Sequence, residues 1–402
     1  PAAGAAIQAL FTVLPFMCAA VVFTRLFKEP NRLVWVALIP VAYLSGRQFW
    51  DLNMVTTLRF VFWSAVIMVA VFGVTLIKRP QISIPRFLGH RAVNVVLSLA
   101  LIALSVYSIV GLDPAARTHE ERARLEYLGD RNEWDEILEI VTPQEARNDE
   151  FKKRYALLAL IEKGCLVDYA FRYGLSSSED FFFNETIEPM SLNFNAMFYQ
   201  RIGIQNASIH QAYQLGVQSV SGMGFASLRR LADLYLSLKD YEMARKYIDI
   251  LSHSTCHGKW VESRMKHLES IKDAEPAYAP ELYQATIANF THTISSLVDR
   301  NREDHKYADM FLCSLLADEE GDKFLNMIRY VASVQYPDGR NLPRLYEEAL
   351  ILITMVDPQA VAGFVISDDT VQRFSDYVNM MNAGRGTQAL RKHADTYWAY
   401  SY

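Results

Sequence analysis

An uncharged apolar segment at residues 93–110, VNVVLSLALIALSVYSIV, constrains this chain more than any other feature. At about 1.5 Å of rise per residue, a helix of this length just crosses the hydrocarbon core of a bilayer, which is roughly 30 Å thick. The chain before this segment is mostly apolar, whereas the chain after it mixes apolar and charged residues. We therefore expect residues 93–110 to form a transmembrane helix that anchors residues 111–402.

Three further apolar segments precede this anchor, at residues 7–27, 33–44 and 60–77. The first and third are long enough to cross a bilayer, but the second is short. It either crosses with help from neighbouring helices or re-enters the membrane from one side. We predict a transmembrane domain of about four helices at residues 1–110. Because apolar residues follow Pro1 almost at once, we expect further chain before it.

Charge divides the chain into two parts. Residues 1–110 hold nine Lys or Arg and two Asp or Glu, a net +7, so residues 111–402 carry −12 of the total of −5. If all four segments cross the membrane, the positive loops at 25–32 and 78–91 lie in the cytoplasm and residue 111 emerges on the outer face, which in a Gram-negative bacterium is the periplasm. An acidic soluble part repels nucleic-acid phosphates and favours a basic partner.

One polar cluster accompanies the membrane segments: Arg47, Trp50, Asp51 and Asn53. Two interpretations are open. The cluster is either an ion pair with an aromatic anchor at the lipid headgroups or part of a substrate or ion path.

Residues 111–402 contain apolar residues at helical spacing and no sustained alternation typical of a strand, so we predict an all-α domain of paired amphipathic helices. The clearest pair is at residues 225–251. Its packing positions are Leu228, Leu231, Ala232 and Tyr235 on one helix, and Tyr241, Ala244, Ile248 and Leu251 on the next. This order of large and small residues resembles the tetratricopeptide repeat, which implies a tetratricopeptide-like α-solenoid at 111–402. A compact helical bundle is the other architecture that this periodicity allows.

Two aromatic segments do not fit the repeat. Residues 176–199 contain Phe181, Phe182 and Phe183 and form either a buried insertion or a loop that returns to the membrane surface. The tail contains Tyr397, Trp398, Tyr400 and Tyr402. These rings either cap the last helices or form a docking strip for a partner or a lipid interface.

The sequence shows no catalytic motif and implies no cofactor. His253, Cys256 and His257 are close together, but no fourth ligand stands nearby, so we expect a polar loop and no metal. The acidic residues around 318–322 lack the calcium-loop pattern and indicate a solvated turn. The four cysteines form no spacing pattern that identifies a redox compartment.

The opening PAAGAAIQAL, the apolar spans, the helix pairs and the end DTYWAYSY together resemble an uncharacterised Bacteroidota family of polytopic inner-membrane proteins with a periplasmic tetratricopeptide-like domain. The resemblance implies an inner-membrane location and a periplasmic solenoid. It brings no activity and no catalytic residues.

These observations favour a membrane-anchored scaffold or interaction subunit of a cell-envelope complex for secretion, assembly or glycan export, rather than an enzyme. Its partners are then envelope proteins and the lipid bilayer, with no nucleic acid and no identified small-molecule substrate. The alternative is a polytopic lipid-linked glycosyltransferase. That enzyme needs a catalytic carboxylate in an outer loop, which lies before Pro1 or is Asp51.

Overall fold

In a computed structural model, the structure describes residues 114–219, 222–254, 257–271, 290–336 and 341–401. These residues form helices and turns with no β-strand among them, so the all-α prediction is confirmed. No helix in the described ranges is both long and apolar enough to cross a bilayer. The predicted spans at 7–27, 33–44, 60–77 and 93–110 lie outside the described residues, as do Arg47, Trp50, Asp51 and Asn53.

The helices follow one another with short connections. The first five are α1 (Pro114–Arg131), α2 (Trp134–Ile140), α3 (Pro143–Asn148), α4 (Glu150–Glu162) and α5 (Leu166–Tyr169). After a 3-10 helix at Ser178–Phe181 come α6 (Pro189–Arg201), α7 (Gln205–Gln218), α8 (Phe225–Ser237), α9 (Tyr241–Ser252) and α10 (Gly258–Ser270). The last seven are α11 (Phe290–Arg300), α12 (His305–Ala317), α13 (Gly321–Gln335), α14 (Arg344–Val356), α15 (Asp368–Asn382), α16 (Gly386–Lys392) and α17 (Tyr397–Tyr400).

The chain forms two compact units, residues 1–120 and 121–402. In the second unit each helix from α6 to α9 packs on the next one along the chain. Helices α11, α12 and α13 also pack in sequence, and α14 contacts α15 and α17. Most contacts therefore join neighbouring helices, and α12 also packs on α4 and α5.

Six turns between consecutive helices in the described ranges share one backbone geometry. A residue with positive φ follows the first helix of each pair, and these residues are Asn132, Gly164, Gly203, Lys239, Glu319 and Gly384. The next N–H donates to the carbonyl five residues earlier, as Asp240 does to Tyr235 at 2.9 Å. This is the Schellman motif, which satisfies carbonyl groups that the helix end leaves unpaired.

The pair at residues 225–251 consists of α8 and α9, which pack together. Six of its eight predicted packing residues are buried: Leu228, Leu231, Ala232, Ala244, Ile248 and Leu251. The other two, Tyr235 and Tyr241, are half-buried against the same core. The Tyr235 ring stacks on Tyr247 with 5.7 Å between centroids.

The phenylalanine-rich segment lies in the interior. Phe181 and Phe182 are buried, and their rings lie 5.8 and 5.1 Å from the ring of Phe290 on α11. Phe198 on α6 also contacts Phe290, at 6.3 Å. Of the two alternatives for this segment, the structure therefore shows a buried insertion. Its rings join the first and second halves of the unit in one core.

Helix α5 is short and ends at Tyr169. The chain then turns through Gly174, whose positive φ is incompatible with a continuing helix.

Both small residues of the α8 and α9 pair have no exposed surface, which generates a stability prediction. We expect Ala232→Trp or Ala244→Trp to lower the free energy of unfolding by about 1–3 kcal/mol or more, because the indole overpacks the interface. Denaturant unfolding measures the change. Ala226→Trp, at an exposed position of the same helix, is the control. Wild-type stability of both buried variants would contradict this packing.

Lys239 generates a second prediction because a lysine occupies the left-handed region, at φ 60°. Lys239→Gly should raise the free energy of unfolding by about 0.5–1 kcal/mol, since glycine adopts this conformation without steric cost. The matched control is Lys246→Gly in the exposed middle of α9, which should lower it by about 1 kcal/mol. Equal effects of the two substitutions would show that the turn is unstrained.

Candidate functional site

A groove of about 570 Å³ lies between the C-terminal end of α1 and the helices α6, α8 and α10. Its lining includes four arginines, Arg201, Arg229, Arg230 and Arg264, and two aspartates, Asp130 and Asp233. We call it the arginine groove. It is formed by alternate members of a row of packed helices, so each helix contributes side chains from one face.

Arg230 holds three of these helices together. Its side chain on α8 is 5% exposed, and its Nη2 donates to Asp130 Oδ1 on α1 at 2.8 Å. Its Nε donates to Asn193 Oδ1 and its Nη1 to Gln200 Oε1, both on α6, at 3.1 and 3.4 Å. Asn193 in turn donates to Glu126 on α1. The buried cation is therefore paired through three of its nitrogens.

Arg229 uses the other oxygen of the same carboxylate. Its Nη2 donates to Asp130 Oδ2, so Asp130 bridges two adjacent arginines. Its Nε is buried and has no hydrogen-bond partner in the described part of the chain. The guanidinium lies 5.8 Å from the centroid of the Phe225 ring. Arg229 thus retains unused donor capacity at the groove.

Arg264 supplies a cation from α10. Its Nε lies 2.8 Å from Asp233 Oδ1 on α8, but the two groups are not aligned for a hydrogen bond. The guanidinium lies 5.6 Å from the Trp260 ring centroid. Burial raises the pKa of Asp233 despite the lowering effect of Arg264.

Arg201 closes the groove at the end of α6. Its Nη2 donates to Asn132 in the turn after α1, and its guanidinium lies 5.4 Å from the Trp134 ring centroid. With four arginines and two aspartates, the lining has two more positive than negative charges. The groove is thus a cationic site in a part of the chain whose net charge is −12.

The groove residues are not among the site residues predicted from the sequence. Leu228, Leu231 and the other packing residues of the repeat lie behind the groove, in the helix interfaces. One signal was present: Ser227, Arg230, Leu231 and Leu234 share one helical face and are all buried. A charged residue on a buried face requires a partner, and that requirement marks Arg230.

The C-terminal tail lies in the interior for most of its described length. Tyr397 and Trp398 are buried, whereas Tyr400 is 39% exposed and Tyr402 lies outside the described residues. The Tyr397 hydroxyl donates to the Leu316 carbonyl at 2.9 Å, and its ring contacts Phe171. Of the two roles considered for the tail, capping fits Tyr397 and Trp398. Tyr400 is the described tail ring that remains available for docking.

Glu348 on α14 secures this tail. Its Oε2 accepts a 2.7 Å hydrogen bond from the N–H of Tyr397, the first residue of α17. Arg344 Nε lies 3.1 Å from its Oε1. The carboxyl is almost fully buried, and burial raises the pKa of Glu348 to about 7.

A second cleft, of about 790 Å³, adjoins the tail and contains Arg147, Arg172 and Arg344. Its arginines are more completely engaged in hydrogen bonds and ion pairs than those of the arginine groove. Arg344 bonds to Asp395 at 2.9 and 3.1 Å, and Arg147 Nε donates to the Arg172 carbonyl. Asp168, Glu348 and Asp395 balance its charge. The smaller arginine groove is therefore the stronger candidate for binding.

The other sequence candidates have local structural contacts. His253 Nδ1 lies 2.8 Å from the Asp249 carbonyl oxygen, and the His257 ring stacks on Phe225 with 3.5 Å between centroids. Cys256 lies outside the described residues. Asp318, from the acidic turn, accepts hydrogen bonds from Ser177 Oγ and the Ser178 N–H. Within the described ranges, no three His, Cys, Asp or Glu residues are arranged to hold a metal ion.

Residues 8–402 match a family described as a family of unknown function, DUF6057. The chain belongs to the DUF6057 family. No curated protein and no solved structure matches this DUF6057 member. The match covers both the apolar segments and the helical unit, so this family combines the two.

The raised pKa of Glu348 predicts a pH dependence in this DUF6057 protein. Its carboxyl titrates near 7 when folded and near its ordinary 4.5 when unfolded. Protonation of Glu348 therefore stabilises the folded state. Its contribution to the free energy of unfolding is present below pH 4.5 and falls by roughly 1–3 kcal/mol as the pH rises to 7.

We expect Glu348→Gln to flatten the fall in unfolding free energy between pH 5 and pH 8. Denaturant unfolding followed by tryptophan fluorescence measures the slope. Some slope should remain, because burial also raises the pKa of Asp309, to about 6. A variant with the full wild-type slope would show that Glu348 is not the group responsible.

Proposed function

We propose that this chain is a membrane-anchored α-solenoid that acts as a scaffold or interaction subunit of a bacterial cell-envelope complex, with the arginine groove as its partner site. The observation that carries this proposal is the groove itself. Alternate helices α6, α8 and α10 line one recess, and this arrangement is the one by which stacked helix pairs present a continuous binding surface.

Within α6 to α10, the packing of the helices supports a solenoid more than a bundle. Each helix from α6 to α9 packs on the next in chain order, and α6 also contacts α8, the second helix after it. Repeat proteins are dominated by such neighbour contacts. The buried Ala232 and Ala244 fit the small positions of the tetratricopeptide-like pair.

The membrane anchor and the periplasmic location rest on the sequence. The apolar segments fall in residues 1–110, and the family match includes them from residue 8 onward. The positive loops at 25–32 and 78–91 favour an outer location for residues 111–402. An inner-membrane protein with this orientation presents its helical unit to periplasmic and envelope partners.

Purification of the full chain in a mild detergent from its native membrane tests the proposal. We expect a partner in stoichiometric amount. Ser237→Trp should abolish its capture, because Ser237 ends α8 within the groove and an indole there occupies the recess without changing the charge.

Ser252→Trp is the matched control. Ser252 ends α9 outside the groove lining, and its hydroxyl, like that of Ser237, donates to the carbonyl three residues earlier at 2.6 Å. If both variants still capture the partner, the groove is not the partner site. A solitary protein that carries bound polyprenyl or glycolipid would instead support the lipid-linked glycosyltransferase.

A further inference from the structure

We infer that the arginine groove binds an acidic peptide segment, with carboxylates of the segment held by Arg229 and Arg264. This inference rests on the proposed function, since it names the chemistry of the partner at the same groove. It departs from the expectation of a basic partner, which was based on the net charge of the whole helical part.

Arg229 and Arg264 have hydrogen-bond donors that the helices do not use. A guanidinium carries five N–H groups. In the described ranges, Arg229 makes its ion pair to Asp130 through one nitrogen, Nη2. Arg264 lies beside Asp233 with Nε not aligned to it. Both Nε atoms are buried, but both side chains are partly exposed, so an incoming carboxylate reaches them through the Nη groups.

The carboxylates of the groove are already paired with its arginines. Asp130 is bridged by Arg229 and Arg230, and it is largely buried. Asp233 is paired with Arg264, and burial raises its pKa. A basic segment would therefore meet four guanidinium groups with no free carboxylate to receive it, and like charges at short range cost free energy.

The size and lining of the groove favour a peptide over a small anion. The groove volume of about 570 Å³ exceeds that of one phosphate or carboxylate and falls within the range of ligand pockets. Met197, Leu236 and Trp260 provide apolar surface beside the arginines. Acidic side chains alternating with small or apolar ones match this mixture of cationic and apolar surface.

The negative charge of the surrounding surface makes the groove selective for the position of an acidic segment. Residues 111–402 carry −12 overall, so an acidic segment is repelled from most of this surface and attracted where the arginines converge. A cationic recess on an acidic domain thus restricts an acidic ligand to one position. Arg230, which is 5% exposed, acts as a positioning residue that orders Asp130 and Arg229.

A binding titration on the full chain in nonionic detergent tests the inference. The probe is a fluorescein-labelled peptide of four Glu-Ala repeats, with the Lys-Ala and Gln-Ala peptides as comparisons, and binding is read by fluorescence polarisation. We expect the Glu-Ala peptide alone to bind, and its affinity to fall as salt is raised from 50 to 300 mM, because exposed charge pairs are screened.

Two variants test the assigned residues. Arg229→Gln and Arg264→Gln should each lower the affinity for the Glu-Ala peptide about tenfold or more, since each removes a charged hydrogen-bond donor. Lys266→Gln is the matched control: it removes the same charge from α10 at a side chain that is 72% exposed and paired with Glu262. Thermal melting of each variant verifies that it is folded, and Arg264→Lys should recover part of the affinity.

Several outcomes would overturn the inference. One is that the Lys-Ala peptide binds as tightly as the Glu-Ala peptide. Another is that Arg264→Gln and Lys266→Gln change the affinity equally. A third is displacement of the peptide by an equimolar amount of inorganic phosphate, which would assign the groove to a small anion. If the Glu-Ala peptide fails while Ser237→Trp still abolishes partner capture, the groove remains the partner site and only its acidic chemistry is wrong.

Discussion

The buried guanidinium of Arg230 is the interaction on which the arrangement of α1, α6 and α8 depends. A charge removed from water must be paired, and Arg230 finds its acceptors on two other helices, at Asp130, Asn193 and Gln200. The pairing therefore specifies how these helices meet. Loss of one partner would leave a buried charge uncompensated, which commonly costs several kcal/mol.

The same network explains why the groove is cationic on an acidic unit. Asp130 is shared between Arg229 and Arg230, so two positive charges are held by one negative charge. Arg264 adds a third cation beside Asp233, whose burial works against its ionisation. Helix packing and the proposed peptide binding thus depend on the same side chains. The buried arginine orders the site, and the partly exposed ones remain available to a ligand.

Much of the fold was accessible from the sequence because helical periodicity is a local property. The α8 and α9 pair, with Ala232 and Ala244 at its interface, is predicted by spacing within some 25 residues. The groove was not accessible, because Arg230 and Asp130 are 100 positions apart and no local pattern pairs them. The net charge of residues 111–402 could not indicate the groove for the same reason: a sum over the chain does not show where charges converge.

The recurrent turn geometry has a consequence for how relatives of this chain can differ. Each left-handed turn at Asn132, Gly203, Lys239 and Glu319 joins two helices through a hydrogen bond that spans five residues. Removal of one residue from such a turn removes this hydrogen bond and changes the direction of the following helix, whose apolar face then no longer meets the core. Divergence among homologues at these positions should therefore consist of substitutions rather than insertions or deletions.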